Sequence, residues 1–238
     1  MTDLPELKKR LGAHAADHYV RDGMKLGLDT GSTAIWAVRR VAERLANGSL
    51  KSIRTVATSL QTELEARSLG IPVLTLNDAS LDASVDLVID GADEVDPSGA
   101  MIKGGGGALL MEKVIAYSAQ ALLILVDHTK LSAHLCDHFA IPVEVVRDAV
   151  TPVRRRLERM GGQVVLRMAM KKAGPVVTDL GNLLLDVTFR PDFDPREMER
   201  ELKLIPGVLD NGLFTRLSPM LLVGRADGTI EPRDAPVP

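Results

Sequence analysis

Cysteine, aromatic side chains and long apolar runs are all scarce in this sequence. Cys136 is the single cysteine among 238 residues, and one cysteine forms no internal disulfide, which favours a reduced, cytoplasmic protein. Aromatic residues make up only 3% of the chain, so few side chains could stack on single-stranded bases. The longest apolar run, ALLILV at 121–126, is far shorter than the roughly 20 residues that span a bilayer. The first residues, MTDLPELKKR, also lack the apolar core of a secretory signal peptide.

A strong charge of either sign is absent too. Lys and Arg number 29 against 32 Asp and Glu, which gives a net charge of -3. Such a balance provides no general attraction to nucleic acids or anionic membranes. We therefore expect neither as a partner, and any anion must bind at a local site.

The first 130 residues alternate between helix and strand patterns. Helix periodicity covers 5–20, 32–46, 60–70 and 108–120, and strand patterns cover 25–29, 52–59, 71–76, 85–90 and 121–127. Strands separated by helices of this length connect through right-handed crossovers and form a parallel sheet covered on both faces. The sequence therefore predicts the α/β class with an open parallel sheet.

From about residue 132 the strand patterns come closer together. Strand patterns cover 141–146, 163–169, 174–179 and 182–189, and helix patterns cover 151–160 and 194–204. This spacing predicts a smaller α+β domain over 133–206, with 1–132 and 207–238 forming the larger domain. Asp227 and Gly228 predict a hairpin turn within 220–232.

Polar clusters follow three of the predicted parallel strands. DTGST follows 25–28, DGADE follows 85–89 and DHTK follows 121–126, while KGGGG leads into the helix pattern at 108–120. Ligands of open parallel sheets bind outside the carboxyl ends of the strands. The sequence therefore predicts that these segments form a binding site.

Each cluster also has a simpler structural explanation. TGST at a helix start suits a phosphate, but an ordinary N-cap by Ser32 or Thr33 is at least as common. The glycines at 104–107 could bring backbone amides against a ligand or form a flexible turn. Asp90 and Asp93 could bind a metal or sugar hydroxyls, although capping a turn is the commonest role of such a pair.

Seven segments together resemble the ribose-5-phosphate isomerase type A family. In chain order they are GLDTGSTA, DLVIDGADEVD, MIKGGGGALLMEK, VDHTKL, IPVEV, TDLGNLLLDV and IPGV. They extend over nearly the whole chain, and the pair DGADE and KGGGGALxxEK is specific. The resemblance implies an aldose–ketose isomerase of the non-oxidative pentose phosphate pathway, with a Rossmann-like catalytic domain and a smaller α+β domain. It also implies a homo-oligomer, with a dimer favoured, that binds a small sugar phosphate and uses no cofactor or metal.

The same resemblance implies a role for individual positions. Glu112 matches the general base, and Asp90, Asp93 and Lys103 complete the catalytic set. The implied substrate-binding residues are Thr30, Gly31, Ser32, Thr33, Asp90, Gly91, Ala92, Asp93, Lys103, Gly104, Gly105, Gly106 and Lys130.

The chemistry of an aldose–ketose interconversion agrees with these roles. One carboxylate can take a proton from C2 and return it to C1, which suits Glu112. The cis-enediolate intermediate carries negative charge on an oxygen, which a lysine and glycine amides can stabilise. Ring opening needs a further acid or base, and Asp90 is the first candidate, with Asp93 holding hydroxyl groups.

Asp29 departs from the family pattern, which usually has a glycine at this position. Its carboxylate could repel a substrate phosphate or crowd the turn, or it could point away and cap the helix. We expect activity to survive this change.

HLCDH at 134–138 carries two histidines one helical turn apart, a spacing that can bind zinc. It lacks the glutamate of the metalloprotease motif, so a surface helix is the expected structure. No wider signature supports Cys136 as a nucleophile.

Two other functions fit parts of the pattern. A sugar-phosphate-sensing regulator would need a DNA-binding unit, and the residues before 25 are too few and insufficiently basic for one. A hydrolase that uses Asp90 and Asp93 with magnesium is the alternative enzyme, and dependence on metal would distinguish it.

Overall fold

Two of the described α-helices begin after a residue whose side chain caps the helix start. The computed structural model describes residues 3–29 and 31–234. Its α-helices are α1 (Leu4–Tyr19), α2 (Ala34–Ala46), α3 (Leu60–Ser68), α4 (Leu109–Tyr117), α5 (Val150–Arg159) and α6 (Pro195–Lys203). Ser59 caps α3 by accepting a hydrogen bond from the N–H of Thr62, and Asp194 caps α6 through the N–H of Glu197.

The strands form three sheets. They are β1 (Lys25–Leu28), β2 (Arg54–Ala57), β3 (Val73–Leu74), β4 (Val85–Gly91), β5 (Glu94–Val95), β6 (Met101–Ile102), β7 (Ala119–Asp127), β8 (Ile141–Val145), β9 (Gln163–Leu166), β10 (Leu183–Thr188), β11 (Val208–Asn211), β12 (Leu213–Phe214), β13 (Met220–Gly224) and β14 (Ile230–Asp234). Short 3₁₀ helices cover His128–Lys130 and Arg147–Ala149.

Backbone contacts group the chain into two compact units. The first holds the described residues up to Gly91, Met111–Lys130 and those from Leu217 onward, and the second holds Ala92–Leu110 and Leu131–Arg216. Residues 92–110 thus fall in the second unit, whereas the sequence-based boundary at 132 places them in the larger domain. The domain boundaries stay a prediction.

The first unit is built on a seven-stranded sheet. Its strand order is β14-β13-β7-β4-β1-β2-β3, and every neighbouring pair is parallel except β13 and β14. The central strands β4 and β7 are largely buried, as their continuous apolar sequences require. The core includes Leu11 and Ala15 of α1, Val38 and Val41 of α2, and Leu26, Ile89 and Leu123 of the sheet.

Both edges of this sheet are poor templates for another strand. At one edge β3 has only two residues, and Pro72 precedes it. At the other edge β14 places Pro232 opposite Leu222, and proline has no N–H to donate. Charged Glu231 and Arg233 flank this proline and are exposed.

The second unit combines two antiparallel sheets with two helices. The larger sheet has the order β11-β8-β10-β9 and the smaller one β12-β6-β5. Val153 and Leu157 of α5 and Leu202 of α6 share a core with Val143, Val145, Leu185 and Val187 of the larger sheet. The predicted fold class, an α/β unit with a parallel sheet and a smaller α+β unit, is confirmed.

Several predicted elements are shorter than their patterns. The helix predicted over 108–120 ends at Tyr117, because β7 begins at Ala119, which pairs with Val85. The strand predicted over 174–179 has only isolated bridges, at Pro175 and Val177. The hairpin predicted at Asp227 and Gly228 is confirmed by the antiparallel pair β13 and β14.

The surface helix expected over 134–138 was wrong. Cys136 has a φ of 71°, which no helix accommodates. The carboxylate of Glu94 is fully buried and accepts hydrogen bonds from the N–H of Cys136 (2.8 Å), the N–H of His138 (2.9 Å) and Oγ of Ser132 (2.7 Å). The segment bends around this carboxylate because a buried charge needs several donors.

In the described part of the chain, no helix combines the length and apolarity that crossing a membrane requires.

Candidate functional site

In the first unit, three of the predicted polar clusters meet at one edge of the sheet. Strands β7, β4 and β1 are neighbours and parallel, with Leu28 opposite Ile89 and Asp90 opposite Ile124. Asp29 and residues 31–33, 90–91 and 127–130 therefore all lie at the carboxyl edge. Thr30, which the sequence assigns to the substrate site, lies outside the described residues.

Asp29 is turned into its own loop. Its buried carboxylate accepts hydrogen bonds from the N–H of Gly31 at 2.8 Å and from Oγ1 of Thr58 at 2.5 Å. These two bonds hold the turn together, a role that was not among the alternatives drawn from the sequence. Its charge is thereby shared with two donors of the protein.

The N-terminus of α2 follows this turn. Thr33 occupies the N-cap position and is buried, but its side chain makes no capping hydrogen bond. Ser32 is exposed and its Oγ accepts a hydrogen bond from Nζ of Lys8 at 3.0 Å. In the described structure, neither hydroxyl therefore plays the ordinary capping role that the sequence suggested as an alternative.

Two lysines belong to the same edge. Lys8 comes from α1, and its Nζ lies 3.7 Å from Oδ2 of the buried Asp127. Asp127 in turn accepts hydrogen bonds from the N–H and Oγ1 of Thr129, which shape the 3₁₀ helix that ends at Lys130. This edge thus carries lysines, a serine hydroxyl and a helix N-terminus, which together suit an anion.

Two buried carboxylates also belong to the first unit. Asp90 is the penultimate residue of β4 and is fully buried, and its Oδ1 accepts a hydrogen bond from the N–H of Gly91 at 2.6 Å. Glu112 is 6% exposed in the first turn of α4, where backbone N–H groups stabilise negative charge.

Gly27 sets how closely α4 approaches the sheet. A Cβ at Gly27 would lie 2.6 Å from Cγ2 of Val88 and 2.8 Å from Cγ2 of Ile115. Only glycine permits this contact, because real side chains do not approach so closely. The helix that carries Glu112 therefore packs directly on β1.

In the second unit, Asp93 and the glycine loop come together. Oδ2 of Asp93 accepts a hydrogen bond from the N–H of Gly105 at 2.7 Å. A Cβ at Gly105 would lie 2.6 Å from Oδ1 of Asp93, so a side chain at this position would displace the Asp93 carboxylate. At Gly106 a Cβ would meet nothing within 4 Å, and Gly106 is exposed. Ala92, the residue before Asp93, is half-buried.

Lys103 is a buried cation that precedes this loop. Lys103 is only 2% exposed. Its Nζ lies 5.4 Å from the centre of the Phe214 ring, within the range of a cation–π interaction. Its backbone N–H donates to the carbonyl of Gly212 at 2.8 Å. Gly104 follows it and is also buried.

Residues 54–228 match the family model of ribose 5-phosphate isomerase A, also named phosphoriboisomerase A. The chain belongs to this family.

Curated relatives match over nearly their whole length. A ribose-5-phosphate isomerase A from Treponema denticola is 44% identical over 236 residues, which cover 96% of this chain and 99% of the relative. One from Synechococcus strain WH7803 is 48% identical over 231 residues, which cover 97% of this chain and 96% of the relative.

Solved isomerase structures have the same fold. A ribose 5-phosphate isomerase A from Methanocaldococcus jannaschii has a TM-score of 0.90 at 38% identity, and covers 98% of this chain and 100% of its own. The Plasmodium falciparum enzyme has a TM-score of 0.92 at 34% identity, with the same coverage. A D-ribose-5-phosphate isomerase in complex with phospho-erythronic acid has a TM-score of 0.93 at 38% identity, again covering 98% and 100%.

Two positively charged residues of this ribose-5-phosphate isomerase A fold were not identified as site residues from the sequence. Lys8 contacts Ser32, and Arg167 donates to the carbonyls of Gly104 and Gly105. Lys8 is one of several polar residues on α1, and no local pattern separates it from Lys9. Arg167 lies more than 60 residues from the glycine loop in the chain, so only the folded sheet brings the two together.

Cys136 is a structural residue in this isomerase fold. Burial raises the pKa of its thiol to about 11, and the neighbouring Glu94 carboxylate adds to the increase. A thiol with such a pKa contains little thiolate near neutral pH. Within residues 3–29 and 31–234, no cluster of three or more His, Cys, Asp and Glu side chains could hold a metal ion.

Proposed function

We propose that this protein interconverts D-ribose 5-phosphate and D-ribulose 5-phosphate. The observation that carries the proposal is the match of residues 54–228 to the ribose 5-phosphate isomerase A family. The buried Glu112 and the amide-rich loop that precedes it in the chain supply the chemistry that this reaction needs. The substrate is a small sugar phosphate.

Glu112 is the general base in this proposal. In the open-chain aldose its carboxylate takes the proton from C2, and the electron pair of that C–H bond forms the C1–C2 double bond while the C1 carbonyl oxygen becomes an oxyanion. Glu112 then returns the proton to C1 while the O2 hydroxyl gives its proton to the O1 oxyanion, which leaves a hydroxyl at C1 and the carbonyl at C2. General base catalysis of this kind contributes roughly 10²–10⁴-fold.

The oxyanion of the enediolate is stabilised by Lys103 and by amides of the glycine loop. A buried ammonium is effective because little water competes with it. Each such donor is worth on the order of 10²–10³ in rate. A solved isomerase binds phospho-erythronic acid, whose carboxylate also carries negative charge on oxygen, and we expect this chain to bind the same compound.

The two aspartates have separate roles. Asp90 is buried near the end of β4 and assists the opening of the sugar ring. Asp93 uses one carboxylate oxygen for the N–H of Gly105, so it both fixes the loop and binds substrate hydroxyl groups. Gly91 and Ala92, which join the two aspartates in the chain, complete this contact with the sugar.

The phosphate binds at the carboxyl edge of the parallel sheet. Thr30, Gly31, Ser32 and Thr33, at the start of α2, and Lys130 are the contacts that the family resemblance implies. The position of Lys8 against Ser32 adds a second ammonium to this set. Asp29 accepts the N–H of Gly31, which directs its negative charge into the turn.

The cellular setting is part of the proposal. The reaction belongs to the non-oxidative branch of the pentose phosphate pathway, and we infer a cytoplasmic homodimer that uses no cofactor.

A coupled assay tests this function directly. Purified protein is expected to convert ribose 5-phosphate to ribulose 5-phosphate at the same rate with and without EDTA, because the proposed base and cations all belong to the protein. Activity that EDTA abolishes and magnesium restores would instead support the metal-dependent hydrolase. Absence of isomerisation in well-folded protein would reject the isomerase proposal.

A further inference from the structure

Arg167 connects the larger sheet of the second unit to the glycine loop. It directly follows β9, and its backbone N–H donates to the carbonyl of Leu184 on β10 at 2.9 Å. Its side chain is 15% exposed and that of Asp186, also on β10, is 25% exposed. This pair is therefore partly shielded from water, unlike an ordinary surface ion pair.

The guanidinium of Arg167 uses two of its edges at once. Nε and Nη2 donate to the carboxylate of Asp186, with Nε 2.9 Å from Oδ2. Nη1 donates to the carbonyl of Gly104 at 3.0 Å and to that of Gly105 at 3.1 Å. A planar guanidinium held on one edge has little freedom on the other, so Asp186 fixes the direction from which Arg167 binds the loop.

These contacts determine where the loop amides point. In a trans peptide the carbonyl and the following N–H point in opposite directions, and the described chain has no cis peptide. With both carbonyls directed at Arg167, the N–H groups of Gly105 and Gly106 point away from it. Gly105 confirms this, since its N–H donates to Asp93. The N–H of Gly106 points to the same side from an exposed position.

The positive charge also strengthens these donors. A cation that hydrogen-bonds to a carbonyl polarises the whole peptide group, which makes the N–H of that group a better donor. Loops rich in glycine have many accessible conformations. Without Arg167, the loop would spend part of its time in conformations in which these amides point elsewhere.

We propose that Arg167, held by Asp186, is a positioning residue that orients and polarises the amide of Gly106 for the enediolate oxyanion, while the amide of Gly105 holds Asp93. This rests on the proposed isomerase function. Because the oxyanion exists only after proton abstraction, the interaction stabilises the transition state more than the bound sugar.

The decisive experiment compares three variants at matched folded concentration. Arg167→Met is expected to lower kcat about 10-fold or more while KM stays within about threefold of wild type, since a donor is misplaced rather than removed. Binding of phospho-erythronic acid should weaken while binding of inorganic phosphate does not. Asp186→Asn should produce a smaller loss of the same kind. Arg167→Lys should have a kcat between those of wild type and Arg167→Met, because one ammonium cannot bind both Asp186 and the two carbonyls.

Arg67 provides the matched control. Its guanidinium likewise bonds a carboxylate, Glu63, and a backbone carbonyl, that of Val73, but it lies on α3. Arg67→Met should leave kcat and KM unchanged. Guanidinium ion added to Arg167→Ala should restore part of kcat, whereas ammonium ion should not, an effect that a purely structural role would not produce.

Amide hydrogen exchange separates this proposal from the function on which it rests. In substrate-free protein, Arg167→Met should speed exchange at Gly105 relative to wild type. Exchange and kcat both within twofold of wild type would overturn the positioning role. An inactive wild type would overturn the isomerase function instead.

Discussion

Glu112 is a buried carboxylate in the first turn of a helix that packs directly on the parallel sheet. A proton that moves between adjacent carbons needs a base whose position is fixed to a fraction of an ångström. Packing of α4 against Gly27 supplies that rigidity.

Glu112→Gln should keep the fold and KM while kcat falls at least roughly 10²-fold, because the amide is nearly isosteric and cannot accept the proton. The assay is steady-state kinetics, with circular dichroism to confirm folding. Glu158→Gln, at an exposed position on α5, is the control and should leave kcat and KM unchanged.

Deuterium labelling with the wild-type protein tests the same proton transfer. In deuterated water the product should carry deuterium at the carbon next to the carbonyl, since a carboxylate exchanges its proton with solvent. Normal turnover by Glu112→Gln, or product free of deuterium, would contradict the proposed base.

Lys8 and Lys9 are adjacent residues with different partners. Nζ of Lys8 lies 3.0 Å from Oγ of Ser32, whereas Nζ of Lys9 lies 5.8 Å from the centre of the Trp36 ring. Lys8→Met should raise KM about tenfold or more with little change in kcat, because a charge-assisted contact to phosphate is about equal in ground and transition states. Lys9→Met should leave both constants unchanged. A fall in kcat alone for Lys8→Met would remove Lys8 from the phosphate site.

At the scale of elements, Glu94 organises the segment that carries Cys136. Three donors converge on its fully buried carboxylate. Glu94→Gln should destabilise the protein by about 3 kcal/mol or more, because its amide NH₂ must face a backbone N–H. Thermal unfolding measures the loss.

The thiol of Cys136 reports on the same segment. At pH 8 the wild-type thiol should react slowly with a disulfide reagent, since its pKa is about 11, and Glu94→Gln should react faster. Equal reaction rates in the two proteins would show that Glu94 does not hold this segment.

The strength of the local sequence signal decides which elements could be predicted. The periodicity of α1 and α2 and the apolar runs of β4 and β7 are long, so the helices and parallel strands of the first unit were predicted with small errors at their ends. HLCDH has helix-compatible spacing, and its true conformation depends on Glu94, about 40 residues away in the chain. No local pattern contains that information.

The same distinction applies to the candidate site. DGADE and KGGGG are contiguous motifs, so their residues were recognised from the sequence. Lys8 and Arg167 contact the motifs only after folding, and each belongs to an otherwise ordinary segment. Their roles, like those of the residues assigned from the sequence, stay predictions until variants are measured.

At the scale of the whole molecule, charge is nearly balanced. The net charge of -3 gives an anionic sugar phosphate no general attraction, so affinity must come from a few local cations. Lys8 and Lys130 at the carboxyl edge of the parallel sheet are such cations. We therefore expect KM to rise with ionic strength mainly through this local contact.

Assembly is also a property at this scale. The chain has a mass of 25.7 kDa, and sedimentation velocity at micromolar concentration should show a single species of twice that mass. A species of monomer mass over the whole concentration range would contradict the proposed dimer.

The edges of the seven-stranded sheet bear on how the protein behaves when concentrated. An unpaired strand edge is a template on which other chains add strands, and fibrillar aggregates begin in this way. Here one edge strand has two residues and the other carries Pro232 between two charged side chains. The parallel sheet is therefore protected against the addition of strands from neighbouring molecules in a crowded solution.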